Sequence, residues 1–237
     1  MRKDREWNQL RSIEVIPNYL KYAEGSALVK WGDNIVLVAA SVEDKVPPFL
    51  KGTGKGWITA EYAMLPRSTD RRKLREGIES KVSGRSHEIQ RLIGRALRAV
   101  TDLDMLGERT VTIDCDVIQA DGGTRMASIL GGVISVYLAF KKMVFENMLF
   151  DNPLRELVGG VSLGIVDDEI LVDLDYEEDS KALLDLNIVI TEKGEIVEIQ
   201  GTGEGGSFSR DTLIKLVDIG IEKALEVIKK EKEVLEL

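Results

Sequence analysis

TVTIDCDVIQADGGTR, residues 110–125, decides the fold because it joins a strand to a helix through a glycine turn. Apolar and polar residues alternate through its first half, which predicts a strand with one buried face. Gly122 and Gly123 then allow the backbone to turn, and Arg125 follows at once. Ligands often bind at the end of such a strand, and a helix start suits an anion. The stretch therefore predicts either an anion site or a plain helix start capped by Thr124.

The pattern of strands and turns repeats on both sides of this stretch. Short apolar runs separated by two or three turn residues predict three hairpins, formed by residues 26–30 with 34–42, 160–166 with 169–174, and 186–191 with 195–200. Helical spacing predicts helices through residues 89–100, through about 126–145, and from a cap at Ser209 to near residue 236. Pro153 follows Asp151 and Asn152 and marks a boundary. We therefore expect two related α+β units, residues 1–150 and 151–237, with mixed sheets packed against helices.

Composition excludes several kinds of site. The 237 residues contain one histidine, His87, and one cysteine, Cys115, so histidine-based acid–base catalysis is disfavoured and a cysteine zinc site or internal disulfide is excluded. No uninterrupted apolar run reaches the roughly 20 residues that span a bilayer, and the first segment lacks the apolar core of a signal peptide. We therefore expect a cytoplasmic protein with no membrane partner.

The charge is unevenly distributed. The formal net charge is -9, yet residues 67–98 carry ten basic and four acidic residues. An acidic protein with one basic segment can steer a polyanion to a single place. A solvated charged loop and helix face would give the same composition, so both interpretations stay open.

Carboxylates and arginines are the remaining candidates for chemistry. Asp179 and Asp185 lie in DLDYEEDSKALLDLN, and oxygen ligands of this kind suit magnesium or manganese. Arg85 follows Gly84 at a helix start and is a second candidate for holding an anion, because arginine binds phosphate through two parallel hydrogen bonds. Each of these residues could equally lie on an ordinary charged surface. The arginine face formed by Arg91, Arg95 and Arg98 could be solvated or could bind a partner subunit.

Four segments together resemble the ribonuclease PH family. They are GWITAEYAMLPR (56–67), GRSHEIQRLIGRALRAVTDL (84–103), LGERTVTIDCDVIQADGGTR (106–125) and EIQGTGEGGSFSR (198–210). The resemblance runs in order from about Leu10 to the terminal helix and so covers most of the chain. Departures from the usual family pattern include Ala63, Met126 and Leu186, and none of them removes a charged group of the expected site.

The resemblance implies a phosphorolytic 3'-to-5' exoribonuclease that trims transfer RNA precursors and other RNA 3' ends. Inorganic phosphate is the co-substrate, nucleoside diphosphates are released, and Mg²⁺ or Mn²⁺ is the expected metal. The implied fold is the ribonuclease PH fold, which is similar to domain 2 of ribosomal protein S5, and the implied assembly is a homohexamer built as a trimer of dimers. Residues 1–150 and 151–237 would be the two phosphorolytic domains.

The resemblance also assigns site residues by motif. It implies phosphate binding by Arg85, Gly123, Thr124 and Arg125, catalysis and metal binding by Asp179 and Asp185, and RNA binding by the basic residues Arg67, Arg71, Arg72 and Arg75. Two alternatives remain within the superfamily. One is a catalytic subunit of an exosome-like RNA-degrading ring, and the other is a ring subunit that binds RNA without catalysis.

Overall fold

The computed structural model describes Arg2 and residues 5–76 and 81–237, and these residues form two sheets interleaved with helices. The first sheet has the order β1-β2-β3-β5-β4. Its strands are β1 (Ile13–Pro17), β2 (Gly25–Trp31), β3 (Asn34–Glu43), β4 (Trp57–Met64) and β5 (Thr110–Gln119). Strands β4 and β5 are parallel, whereas the other neighbours in this sheet are antiparallel. The sheet is therefore mixed, as expected.

The second sheet is antiparallel and has the order β7-β6-β8-β9. Its strands are β6 (Val158–Val166), β7 (Glu169–Val172), β8 (Leu184–Thr191) and β9 (Ile196–Gly203). The helices are α1 (Gly84–Ala99), α2 (Leu103–Leu106), α3 (Thr124–Phe145), α4 (Tyr176–Asp179) and α5 (Arg210–Leu235). The three hairpins, the three long helices and the cap at Ser209 are confirmed.

Helix α3 is the centre of the fold because it contacts both sheets. Gly131 packs against Val38 of the first sheet, and Met126 packs against Gly160 of the second. The opposite face of the second sheet packs on α5, where a Cβ at Gly159 would lie 2.7 Å from a side-chain carbon of Ile228. The second sheet is therefore buried between two helices, which explains why its strand β6 is apolar on both faces.

The length and composition of α3 are those of a helix that could cross a membrane. Its apolar run is shorter than about 20 residues, as the sequence indicated, but glycine and serine within the helix leave its mean hydropathy high. Most of this helix is buried inside the protein. Packing between two sheets accounts for its apolar composition.

One continuous hydrophobic core extends across residue 150 and includes residues from both sheets. The buried positions of β5 include Val111, Ile113, Cys115 and Val117, as the alternation predicted. The departures Met126 and Leu186 are also buried in this core, whereas Ala63 is exposed. These two departures therefore concern packing rather than charge.

Candidate active site

The glycine turn between β5 and α3 has the conformation of an anion-binding helix start. Gly122 and Gly123 both have positive φ, 69° and 75°, and Gly123 is the N-cap of α3 without any side-chain capping bond. The first amides of a helix have no partners within the helix and carry partial positive charge. The alternative in which Thr124 caps the helix was wrong, because Thr124 is the first helical residue. Its hydroxyl instead shares a 2.8 Å hydrogen bond with the Tyr62 hydroxyl.

The four predicted charged residues line one cleft of about 820 Å³. Arg85 comes from the first turn of α1, Arg125 from the first turn of α3, Asp179 from the end of α4, and Asp185 from β8. Among the described residues that line the cleft, neither Gly123 nor Thr124 appears. They contribute by starting the helix that carries Arg125. The fold thus brings together arginines and carboxylates that are up to a hundred residues apart in sequence.

The carboxylates and arginines of the cleft act on one another electrostatically. Burial raises the pKa of Asp185, and the nearby Asp179 raises it further. Arg125 and Arg85 oppose this rise in pKa, as does the Asn187 amide, which donates to both Asp185 oxygens at 3.1 and 3.2 Å. The cleft therefore holds two carboxylates and two guanidinium groups within electrostatic range of each other.

The carboxylate pair offers few ligands for a metal ion. Across the part of the chain that the structure describes, no group of three or more histidine, cysteine, aspartate or glutamate residues could hold a metal ion. Asp179 and Asp185 remain, and an ion such as Mg²⁺ is often bound by only one or two protein carboxylates. The repulsion between Asp179 and Asp185 is what a bound cation would relieve.

A buried ion-pair network beside the cleft was missed by the sequence analysis. Arg11 donates to both the Asp121 and Gly122 carbonyls, at 2.5 and 3.2 Å, and forms a 2.7 Å ion pair with Asp173. Asp173 also accepts from the Trp31 indole nitrogen at 2.9 Å. Its partners lie more than a hundred residues away in sequence, so no local pattern could have indicated the network.

The four arginines predicted to bind RNA are exposed and lie outside the lining of the cleft. Arg67, Arg71, Arg72 and Arg75 are all exposed, and Arg67 donates to the Asp70 carbonyl at 2.6 Å. Residues 77–80, which include Glu79 of this segment, lie outside the described residues. The structure thus brings Arg85 of the basic segment into the cleft and leaves these four arginines on the surface.

The arginine face of α1 is largely engaged within the chain. Arg95 forms a two-point ion pair with Glu198 of β9. Arg98 lies 4.2 Å from the centre of the Trp57 ring and donates to the Ile58 carbonyl. Arg95 stays exposed beside its ion pair, and partner binding by this face stays a prediction.

Comparisons with known proteins agree on one family. Residues 9–141 match domain 1 of the 3' exoribonuclease family, RNase PH, and residues 156–223 match its domain 2. The chain is 52% identical over 237 residues to ribonuclease PH of Bacillus cytotoxicus, covering 99% of this chain and 97% of that protein.

Solved structures of similar fold include an Archaeoglobus fulgidus exosome with RNA bound to the active site. The matching chain of that structure is 26% identical to this protein, with a TM-score of 0.81. The alignment covers 95% of this protein and 90% of the exosome chain. Rice (Oryza sativa) Rrp46 has a TM-score of 0.79 at 18% identity, with 98% of each chain covered. The rice likeness shows the fold alone.

Proposed function

The chain belongs to the ribonuclease PH family of 3' exoribonucleases, and from this premise we propose how its cleft acts on RNA. It is a phosphorolytic 3'-to-5' exoribonuclease, a tRNA nucleotidyltransferase that trims 3' extensions of transfer RNA precursors. An oxygen of inorganic phosphate attacks the phosphorus of the terminal phosphodiester, the bond from that phosphorus to the 3' oxygen breaks, and a nucleoside diphosphate and an RNA shorter by one nucleotide are released. The observation that carries our assignment of the site is the meeting of Arg85, Arg125, Asp179 and Asp185 in one cleft.

Arg85 and Arg125 hold the attacking phosphate. Phosphate is already an anion at neutral pH, so it needs positioning and charge neutralisation more than a strong general base. Guanidinium groups stay charged and bind phosphate through paired hydrogen bonds. The start of α3 at Gly123 and Thr124 adds amide groups and a partial positive charge on the same side as Arg125. Because arginines and helix amides position the phosphate and neutralise its charge, the reaction does not require a histidine as general base.

Asp179 and Asp185 hold Mg²⁺ or Mn²⁺. Two carboxylates in a polar cleft, where Asp179 raises the pKa of Asp185, fit a hard divalent cation. When bound, such an ion supplies positive charge next to the scissile phosphate and the leaving 3' oxygen. Asn187 keeps the Asp185 carboxylate in place through its two hydrogen bonds.

The assignment is tested by analysing the products formed from a transfer RNA with extra 3' nucleotides, with and without phosphate. We expect nucleoside diphosphates only when phosphate and magnesium are present. Arg125→Ala, Asp179→Asn and Asp185→Asn should each lower the rate by about a hundredfold or more, because charge stabilisation is the main source of catalysis here. Arg91→Ala is the matched control, since Arg91 is an exposed arginine outside the lining of the cleft. Release of monophosphates in phosphate-free buffer would contradict phosphorolysis.

The surface arginines Arg67, Arg71, Arg72 and Arg75 guide the RNA backbone toward the cleft. Their exposure and their place in the one basic segment of an acidic chain support this role. Contacts of this kind give affinity without reading sequence. The same site would act on other RNA 3' ends, because contacts to the RNA backbone do not depend on the base.

The chain acts in the cytoplasm as a homohexamer, a trimer of dimers. Its single cysteine, buried and unpaired, is compatible with a reducing compartment. The exosome likeness supports assembly with similar chains. Identity of 52% to ribonuclease PH, against 26% to the exosome chain, favours self-assembly over an exosome-like ring. A purified chain that forms the hexamer only with a second gene product would reverse that preference.

A further inference from the structure

Arg125 is oriented by a residue that sequence analysis did not assign to the site. Its Nη1 donates to the Oε1 of Gln200 at 3.2 Å. Arg125 lies in the first turn of α3 and Gln200 lies on β9. The contact therefore joins the central helix to the edge strand of the second sheet, and it restricts where the remaining guanidinium nitrogens can point.

The amide of Gln200 has one allowed orientation. Its Nε2 donates to Glu198 Oε1 at 2.9 Å, and Glu198 lies two residues earlier on the same side of the strand. Only the nitrogen of an amide can donate, so this bond turns Oε1 toward Arg125. A flipped amide would place its NH₂ group against a guanidinium that has no acceptor. Both ends of the Gln200 amide are thus engaged within the chain.

Glu198 is held in turn by α1. Arg95 donates from Nε and Nη2 to the two Glu198 oxygens at 2.6 and 2.7 Å, and the side chain of Glu198 is only 13% exposed. The hydrogen bonds that Arg95 donates to Glu198 raise the pKa of Arg95. We call this set Arg95, Glu198, Gln200 and Arg125 the arginine relay. It connects the two helices that carry Arg85 and Arg125.

The order of side chains in the relay has a consequence for charge. If the carboxylate of Glu198 paired directly with Arg125, it would neutralise the guanidinium and compete with phosphate. Gln200 is a neutral acceptor, so it can orient Arg125 without forming an ion pair. Arg95 balances the Glu198 carboxylate at the far end of the relay. The positive charge of Arg125 therefore stays available in the cleft.

We propose that Gln200, held by Glu198 and Arg95, is a positioning residue that sets the affinity for phosphate by orienting Arg125 and leaving its charge unpaired. This proposal rests on the proposed phosphate site. Gln200 lines the cleft together with Arg125, and a role through Arg125 predicts a higher KM for phosphate with the KM for RNA and kcat nearly unchanged.

The test compares Gln200→Leu and Gln200→Glu in steady-state phosphorolysis at varied phosphate and saturating RNA. We expect Gln200→Leu to raise the phosphate KM about tenfold, because a hydrogen bond to a charged group is lost, with kcat within about twofold. Gln200→Glu has nearly the same shape, and we expect an increase several times larger because its carboxylate pairs with Arg125. The added effect of Gln200→Glu should shrink at high salt. A purely structural role predicts the opposite order, with the isosteric variant closer to the wild type.

Controls separate this proposal from the proposed function. Gln119→Leu removes an exposed glutamine outside the lining of the cleft and should leave the phosphate KM unchanged. Arg125→Ala measured in the same series tests the phosphate site itself. If Arg125→Ala keeps full activity, the phosphate assignment fails and the relay fails with it. If Arg125→Ala is inactive while both Gln200 variants keep the wild-type phosphate KM, or lose kcat alone, only the relay proposal is overturned.

Discussion

Glu231 is a fully buried carboxyl group on α5 whose two oxygens have no hydrogen-bond partner among the described residues. Burial raises its pKa well above the ordinary value of 4.5, and the nearby Glu192 raises it further. The folded protein therefore binds a proton at Glu231 that the unfolded chain releases. With the pKa raised in the folded state, stability falls as pH rises above about 4.5 and levels off once pH passes the folded pKa.

Glu231→Gln should remove this pH dependence because the amide cannot ionise. We expect the variant to match the wild type near pH 4 and to be more stable at pH 8, by about 1.4 kcal/mol for each pH unit over which the folded protein holds the proton that the unfolded chain releases. Urea unfolding at both pH values measures the difference. Glu233→Gln, at an exposed carboxylate paired with Lys230 on the same helix, is the matched control. An equal effect of Glu231→Gln at pH 4 and pH 8 would contradict a raised pKa of Glu231 in the folded protein.

At the scale of elements, the glycine turn is pressed against the start of α4. A Cβ at Gly122 would lie 2.6 Å from backbone atoms of Leu174 and Asp175, and the Tyr176 amide donates to Asp121 at 3.3 Å. The turn and the short helix that carries Asp179 are therefore fitted to each other. Their contact positions the start of α3, which carries Arg125, relative to α4, which carries Asp179.

Gly122→Ala should lower both stability and phosphorolysis. The matched control is Gly54→Ala, because Gly54 has a similar φ of 77° but open space where the Cβ would be. We expect Gly54→Ala to cost about 1 kcal/mol from the left-handed conformation alone. Gly122→Ala should cost about 2 kcal/mol more and displace α4, since the clash is with backbone. Thermal unfolding and phosphorolysis rates measure both variants, and similar values for the two would argue against the close fit.

The strands and helices can be predicted from local sequence, whereas the residues that hold the site residues in place cannot. Alternation and glycine turns predicted β5, the hairpins and the start of α3, because these patterns reflect burial within a few residues. Helix α4 is a single acidic turn with no apolar face, so periodicity gives no signal for it. Arg11 and Gln200 act through partners 162 and 75 residues away, and such pairings are decided by the folded topology.

At the scale of the whole molecule, charge is separated between an acidic protein and one basic surface segment. The net charge is -9, and Arg71 and Arg72 lie exposed in the segment that precedes α1 and its Arg85. Such a distribution repels RNA from most of the surface and concentrates it near the cleft. Long RNA should therefore depend on the segment for binding, whereas a dinucleotide reaches only the cleft.

Arg71→Gln combined with Arg72→Gln should weaken binding of long RNA while sparing turnover of a dinucleotide. Each arginine that neutralises one phosphate contributes about 0.7 to the slope of log affinity against log salt for a single strand, so the double variant should lower that slope by about 1.4. Fluorescence anisotropy at several salt concentrations measures the slope, and product analysis measures dinucleotide turnover. Lys141→Gln with Lys229→Gln removes the same charge from exposed positions elsewhere and controls for net charge. Steering acts only on the part of the RNA that lies outside the cleft. Equal losses on long RNA and on the dinucleotide would therefore contradict a guiding role and would place these arginines in the chemistry of the cleft.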